Sequence, residues 1–393
     1  MVMVGGGLAA QRAAEALRRH GYEGRVRIVC GESDPPYNRP PLSKEVLAGT
    51  APDDTVAFRA PGWYRDLDVD LLLATRAVAL DPAAHRVRLG SGAELDYGAL
   101  LIATGGAPRT LRFLEHENVH TLRTLEDTRR LRADLRPGVR LAIVGAGFIG
   151  QEVAATARRL GVVVTIVEAL ETPLERILGV RLGNWFADLH ADEGVEVMTG
   201  VSLIGARGHD RVEELILRDR RRLRRLPCDS VLVGVGTEPA TGWLAGSGLE
   251  AGAVRVDAYG RTEAPDVYAA GDVSASFDSR SDSHSRTEHW GAAAWQGAAV
   301  AKAMLGEEPG PAPLPSFWSD QYGIRIQCVG HPHLADAAVI DGTPAGRDFQ
   351  AVLTRAGVPV AGLAVGRPRA VPALRELIET SDPLASDRKE PVR

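Results

Sequence analysis

The chain has 393 residues, 45% of them hydrophobic and 25% charged, with a formal net charge of -5 and a pI near 6.1. That size allows two or three domains, and the acidic balance argues against nucleic acid as the main partner, since phosphate binding calls for a basic domain. No apolar run is long enough to span a bilayer, and MVMVGGG enters a strand at once without a signal-peptide n-region, so the expectation is a cytoplasmic protein with no membrane partner.

From the N-terminus, VGGGLAAQRAAEALRRHG (Val4 to Gly21) reads as a strand, a glycine turn and a helix, and RVRIVCGE follows as a second strand ending at Glu32. Next comes DPPYNRPPLSK, residues 34 to 44, with four prolines in eleven positions. Each proline fixes its own φ and pushes its predecessor toward an extended conformation, so the loop is stiff, and it carries two cations, Arg39 and Lys44. LLIATGGAPR, Leu100 to Arg109, reads as a buried strand breaking into a glycine turn, the way a chain leaves one nucleotide domain for another.

The opening unit then returns. VGAGFIGQEVAATARRLG, Val144 to Gly161, repeats Val4 to Gly21 with Gly145, Gly147 and Gly161 in step with Gly5, Gly7 and Gly21, and VVVTIVE follows as a strand ending at Glu168. In each copy the first glycine, Gly5 or Gly145, makes the tight turn, and the second, Gly7 or Gly147, lets the backbone approach a pyrophosphate. A small third residue, Ala10 or Gly150, lets helix pack on strand, and the acid at the next strand tip, Glu32 or Glu168, accepts ribose hydroxyls. The helix N-terminus offers unpaired N–H groups and a positive dipole end to the phosphates. Two copies imply two dinucleotides, and the natural pair is a resident FAD and an exchanging NADH.

Further along, RDRRRLRRLP, Arg218 to Pro227, is the one strong basic cluster and reads as an exposed hairpin with solvated arginines. VYAAGDV, Val267 to Val273, is a buried strand ending in Gly-Asp, where Asp272 is placed to take a flavin ribityl or phosphate-side hydroxyl. EEPGPAPLPS, Glu307 to Ser316, marks a domain boundary; beyond it GIRIQCV and FQAVLTRAGVPVAGLAV suggest a small sheet and PALRELIET a closing helix. The three cysteines, Cys30, Cys228 and Cys328, are dispersed, so neither a redox pair nor a thiolate metal site is expected, and His331 with His333 in HPH reads as a surface turn.

With PPYNRPPLSK, ATGGAPR, VGAGFIGQE, VYAAGDV, RTEHWGAAAWQG and FWSDQYG all present, the chain resembles the two-dinucleotide flavoprotein reductases. More narrowly it resembles the putidaredoxin reductase-like, NADH-dependent ferredoxin reductases that serve bacterial oxygenases. PPYNRPPLSK together with FWSDQYG is the narrow signature. The resemblance implies an α/β chain with two Rossmann-like dinucleotide-binding domains, for FAD and NAD, plus a small α+β C-terminal domain. The expected division is residues 1–108 and 237–311 for FAD, 109–236 for NAD and 312–393 for the C-terminal domain. It also implies that the proline loop lies along the flavin, with Arg39 on the FAD, Lys44 at the reactive edge of the ring and Glu152 paired with Lys44. A cation there favours the reduced flavin, and the carboxylate holds the cation in place.

Thr104 and Arg109 of ATGGAPR and Trp290 of EHW join the expected cofactor contacts, and Trp318 of FWSDQ is the candidate aromatic against the ring. The implied acceptor is an iron–sulfur ferredoxin feeding an oxygenase. Three positions depart from the family pattern: Asn38 stands where an acid is common, and Ala240 and Ala292 where asparagine is usual, changes expected to weaken local hydrogen bonds. Two other readings remain. An NADH oxidase or peroxidase needs a redox cysteine where Ser43 and Lys44 stand, and a redox-sensing flavoprotein similar to apoptosis-inducing factor would bring an interaction segment that is not seen.

Overall fold

The computed structural model describes residues 1–220, 222–249, 252–278 and 283–381; Arg221 of the basic run and the last twelve residues of the C-terminal stretch lie outside them. The chain forms two compact units. One is Met1–Asn38, Asp54–Ala107 and Glu238–Pro315; the other is Arg39–Asp53, Pro108–Thr237 and Ser316–Arg393.

Each unit is built on a five-stranded, all-parallel sheet. In the first unit the strands run in the order Val267–Ala269, Leu100–Ile102, Val2–Val4, Val26–Val29, Val69–Leu72. In the second the order is Val119–His120, Ser230–Val233, Arg140–Val144, Val163–Val167, Glu196–Met198. The central strands are buried on both faces, which is why they read as unbroken apolar runs such as VMV, LLI and SVLV. The two sheets have the same strand order, and only the outermost strand beside Leu100–Ile102 or Ser230–Val233 differs in origin. The first unit takes it from late in the chain and the second from early.

The repeated helices are Leu8–Arg19 and Phe148–Arg159. Both end in two arginines whose charge suits the C-terminal end of the dipole, and both are followed by a glycine at φ near +80°, Gly21 and Gly161. The equivalence reaches side chains: Arg18 donates to the Tyr22 and Gly24 carbonyls, and Arg158 to those of Val162 and Glu193. Each unit also carries a three-stranded antiparallel meander, Ala77–Asp81, Arg86–Leu89 and Glu94–Asp96 in the first, Ser202–Gly208, Val212–Arg218 and Leu223–Pro227 in the second. Among the described residues, the strands Val212–Arg218 and Leu223–Pro227 of the second pair as the expected hairpin.

After the proline-rich boundary the chain forms a five-stranded antiparallel sheet, ordered Ser316–Gln321, Ile324–Gly330, Val358–Val365, Asp348–Arg355, Ala337–Thr343, closed by the helix Val371–Ser381. Its inner face shares a core with the helix Glu175–Asp192, where Leu178, Leu182 and Phe186 pack on Ile326, Phe349, Leu363 and Val365. That helix is interrupted at Gly179, whose φ of 73° is not helical. The fold is therefore α/β with two dinucleotide-type sheets and a C-terminal α+β domain.

Candidate functional site

In the first unit, Gly5 turns the chain at φ +120°, and a Cβ there would lie 2.1 Å from the Ala103 carbonyl oxygen. Gly7 is different: a Cβ there would meet nothing within 4 Å. It is the N-cap of the helix Leu8–Arg19, and no side chain caps that terminus, so its first N–H groups have no side-chain acceptor. Ala10 is fully buried, and Gly297 lets a second helix, Trp290–Met304, cross close by, since a Cβ on it would lie 2.2 Å from the Ala9 carbonyl oxygen. A backbone cradle in front of an uncapped helix end fits the pyrophosphate of FAD.

Around this cradle, Glu32 at the strand tip accepts from the Tyr37 hydroxyl at 2.5 Å. Asp272 follows Gly271, whose amide donates to Gln296 Oε1 at 2.8 Å. Thr104 donates to the Ala240 carbonyl oxygen at 2.8 Å, and the Ala240 amide donates to the Gly105 carbonyl, so the alanine at 240 is tied in through its backbone. The Trp290 indole N–H donates to Asn38 Oδ1 at 2.8 Å. The departure at Asn38 therefore keeps a hydrogen bond, because an amide oxygen accepts as a carboxylate oxygen would.

The second unit repeats the cradle. Gly145 has φ +101°, with a Cβ position 2.4 Å from the Gly234 carbonyl oxygen, whereas a Cβ on Gly147 would come no nearer than 3.9 Å to anything. Gly150 seats the helix on its own turn, its Cβ position lying 2.5 Å from the Gly145 carbonyl oxygen. Glu168 bends back over the turn: Oε2 accepts from the Ala146 amide and Oε1 from the Leu170 amide, each at 2.8 Å. Both oxygens keep a lone pair for a ribose hydroxyl. Arg109 is exposed and donates to the Thr237 carbonyl oxygen at 3.3 Å, and Arg39 donates to the Arg123 carbonyl.

The second half of the proline loop is braced within this unit. Thr156 Oγ1 donates to the Ser43 carbonyl at 2.8 Å and Arg132 to the Val46 carbonyl at 3.0 Å, while Asp53 pairs with Arg129 and Arg132. The bracing delivers Lys44 and Ser43 onto Glu152, the fifth residue of the helix Phe148–Arg159. Lys44 Nζ lies 2.6 Å from Glu152 Oε2, and Ser43 Oγ donates to the same oxygen at 2.5 Å. From the C-terminal sheet Ser319 Oγ donates to Oε1 at 2.8 Å. Lys44 and Glu152 are both buried, at 8% and 4% exposure, so the ion pair is held almost without water. Trp318, the neighbour of Ser319, is half-buried and has the Arg325 guanidinium 5.8 Å from its ring centre.

The family resemblance implied the Lys44–Glu152 pair, but not Ser43 or Ser319 as partners of that carboxylate. The three cysteines are buried and free, and burial pushes their thiols up, Cys30 and Cys328 to about 12 and Cys228 to about 11. None forms a thiolate near neutral pH. His331 caps a short 3-10 turn, Pro332–Leu334, that contains His333, and among the described residues no cluster of His, Cys, Asp and Glu could hold a metal ion. No helix among them is long and apolar enough to cross a membrane.

Two dinucleotide cradles with an ion pair in place of a redox thiol define a flavin- and nicotinamide-dependent oxidoreductase. Residues 1–297 match the model of the pyridine nucleotide-disulphide oxidoreductase family and residues 316–389 that of the reductase C-terminal domain. The chain is 38% identical, over 98% of its length and 95% of the relative's, to the 5,5'-dehydrodivanillate O-demethylase ferredoxin reductase subunit of a Sphingobium species. It is 41% identical to the biphenyl dioxygenase system ferredoxin–NAD(+) reductase component of Paraburkholderia xenovorans, over 84% of this chain and 80% of that one. Among solved structures, the covalent putidaredoxin reductase–putidaredoxin complex matches with a TM-score of 0.92 at 31% identity, covering 97% of this chain and 93% of that one. The chain belongs to the pyridine nucleotide-disulphide oxidoreductase family, among the reductases that carry the C-terminal domain, and binds FAD and NAD(H).

Proposed function

We propose that this enzyme passes electrons from NADH through FAD to an iron–sulfur ferredoxin that feeds an oxygenase, in the cytoplasm. The observation that carries the reading is the buried pair Lys44–Glu152, with Ser43 and Lys44 occupying the loop where an oxidase or peroxidase of this fold needs its cysteine. The likeness to ferredoxin reductase components over nearly the whole chain supports the choice of acceptor. FAD, when bound, accepts a hydride from NADH and releases electrons singly.

The chain's own residues bind, orient and polarise. Residues 1–108 and 237–311 hold FAD: the helix end behind Gly5 and Gly7 takes the pyrophosphate, Glu32 the adenosine ribose, and Asp272 a hydroxyl nearer the ring, with Thr104, Arg109, Arg39 and Trp290 completing the contacts. Residues 109–236 hold NADH through Gly145, Gly147, Gly150 and Glu168. Residues 312–393 supply Trp318 as the aromatic against the ring. Lys44 provides a fixed positive charge for the negative charge that reduction places on the cofactor, and Glu152 fixes that cation in position.

NADH oxidation measured with a panel of ferredoxins, beside oxygen consumption without ferredoxin, tests this. Ferredoxin should stimulate turnover many-fold, and because the chain is net negative, attraction to an acidic carrier rests on a local basic patch. The stimulated rate should therefore fall as salt rises through physiological strength, where screening acts beyond about 8 Å. Fast oxygen reduction with no stimulation by any ferredoxin would replace this reading with the oxidase.

A further inference from the structure

The segment Ser319–Tyr322 of the FWSDQYG motif does more than present the neighbouring tryptophan. Ser319 is fully buried, and its hydroxyl has one hydrogen. Gln321 Nε2 donates to Ser319 Oγ at 3.1 Å and fills its acceptor side, so the hydrogen is aimed at Glu152 Oε1, 2.8 Å away. With Oε1 held, the carboxylate plane is fixed and Oε2 is left for Lys44 and Ser43.

The preceding helix residue, Gln151, is held through His190 of the helix Glu175–Asp192. Gln151 Nε2 donates to the Ala146 carbonyl within the second glycine turn, and Gln151 Oε1 meets His190 Nε2 at 3.2 Å. An amide oxygen only accepts, so His190 carries its hydrogen on Nε2 and accepts the Tyr322 hydroxyl hydrogen on Nδ1, at 2.7 Å. Burial pushes His190 down to about 4, so the ring is neutral near pH 7 and this one-tautomer chain holds. Consecutive residues of the helix Phe148–Arg159 are thus held, Glu152 directly by Ser319 and Gln151 by His190, which Tyr322 holds in turn.

We propose that Ser319 is a positioning residue for flavin reduction: from the C-terminal sheet it fixes the Glu152 carboxylate, and through it the Lys44 ammonium. The inference rests on the placement of Lys44 and Glu152 at the cofactor.

The test uses the FAD-loaded enzyme, with stopped-flow flavin reduction by NADH, the flavin midpoint potential by dye-coupled titration, and the NADH Kd. Ser319→Ala should lower the limiting reduction rate about tenfold, leave the NADH Kd within about twofold and make the potential more negative, because a carboxylate with one donor fewer draws more on Lys44. In a Glu152→Gln background the same change should add less than twofold. Should the alanine variant lose FAD, Ser319→Cys, nearly isosteric but a weak donor, should fall short of wild type in rate and potential while retaining the cofactor. An unaltered rate and potential in these variants, with Lys44→Met impaired, overturns the role of Ser319 and leaves the ion-pair reading intact. An equal loss in the Glu152→Gln background makes Ser319 a packing residue and also overturns it. If Lys44→Met is itself unimpaired, the ion-pair reading falls and takes the proposal with it.

Discussion

Replacing Lys44 by Met keeps most of the unbranched side chain and removes its charge from a site where almost nothing can substitute for it. The ammonium is 2.6 Å from Glu152 Oε2 and its second strong contact is the Pro40 carbonyl at 3.0 Å. At an effective dielectric of about 20 a unit charge acts on another 4 Å away with roughly 4 kcal/mol, and part of that is always offset by relaxation. A loss of about 2 to 3 kcal/mol of charge stabilisation slows flavin reduction by roughly 30- to 150-fold. Folding should suffer less than the 3 to 5 kcal/mol often seen for a broken buried pair, about 1 to 2 kcal/mol, because Ser43 and Ser319 still donate to Glu152. Stopped-flow reduction by NADH, FAD affinity and thermal unfolding separate these quantities. The effect should sit in the limiting rate and not in FAD binding, and Glu152→Gln should be non-additive with it, since both act through one pair. Unchanged reduction in Lys44→Met, or fully additive losses in the double variant, would falsify the assignment and return the proline loop to an ordinary surface role.

Glu168 should make the enzyme prefer NADH to NADPH, because a carboxylate held at the turn by the Ala146 and Leu170 amides repels a 2′-phosphate; Glu168→Arg should narrow the gap in kcat/KM, and equal use of both by wild type would contradict the role. Gly145→Ala and Gly147→Ala should separate fold from binding: the first meets the Gly234 carbonyl at 2.4 Å in a left-handed turn and should cost about 1 to 3 kcal/mol of stability. The second has room in the protein, so its Tm should stay near wild type while the NADH Kd rises roughly tenfold. The variant with Cys30, Cys228 and Cys328 all changed to Ala should keep its ferredoxin-linked rate apart from packing losses, and reductive titration should take up two electrons per FAD, since all three thiols are buried. His190 titrates near 4 in the folded chain and near 6.5 unfolded, so the unfolded chain binds the extra proton between those values and stability falls as pH drops through that window, by up to about 3 kcal/mol. His190→Gln should flatten the dependence of Tm on pH between 6.5 and 4, and an equally steep profile would place the histidine in water.

What the sequence made legible was whatever depends on local backbone geometry. Gly5 and Gly145 sit where a Cβ would strike a neighbouring carbonyl, so the chain must write glycine there, and the repeat could be seen. The same holds for Gly21 and Gly161, which need positive φ to end their helices. The acids Glu32 and Glu168 were legible because each follows the strand after its glycine turn and helix, with four more residues intervening in the first copy. What stayed hidden was pairing across long separations. Ser319 lies 167 residues from Glu152, and nothing local distinguishes it from any serine on a strand. His190 and Tyr322, 132 residues apart, are a similar case, and the two-residue strand Val119–His120 is too short to leave a pattern. The departure at Asn38 was visible, but its consequence was not, because the partner is Trp290 at a separation of 252.

The hidden contacts have one thing in common. Ser319, steadied by Gln321, reaches Glu152 near the start of the helix Phe148–Arg159, Tyr322 reaches Gln151 through His190, and all three lie at or just past the end of the strand that opens the C-terminal sheet. The glycine turn alone would leave Gln151 and Glu152 free to choose rotamers, since neither glycine nor helix dipole dictates a side-chain torsion. The C-terminal strand removes that freedom and presents a carboxylate already fixed, so reorganisation at the moment of charge development is small. On this argument the same cradle without the C-terminal sheet could still bind a dinucleotide, but its Lys44–Glu152 pair would be a flexible contact instead of a preset charge.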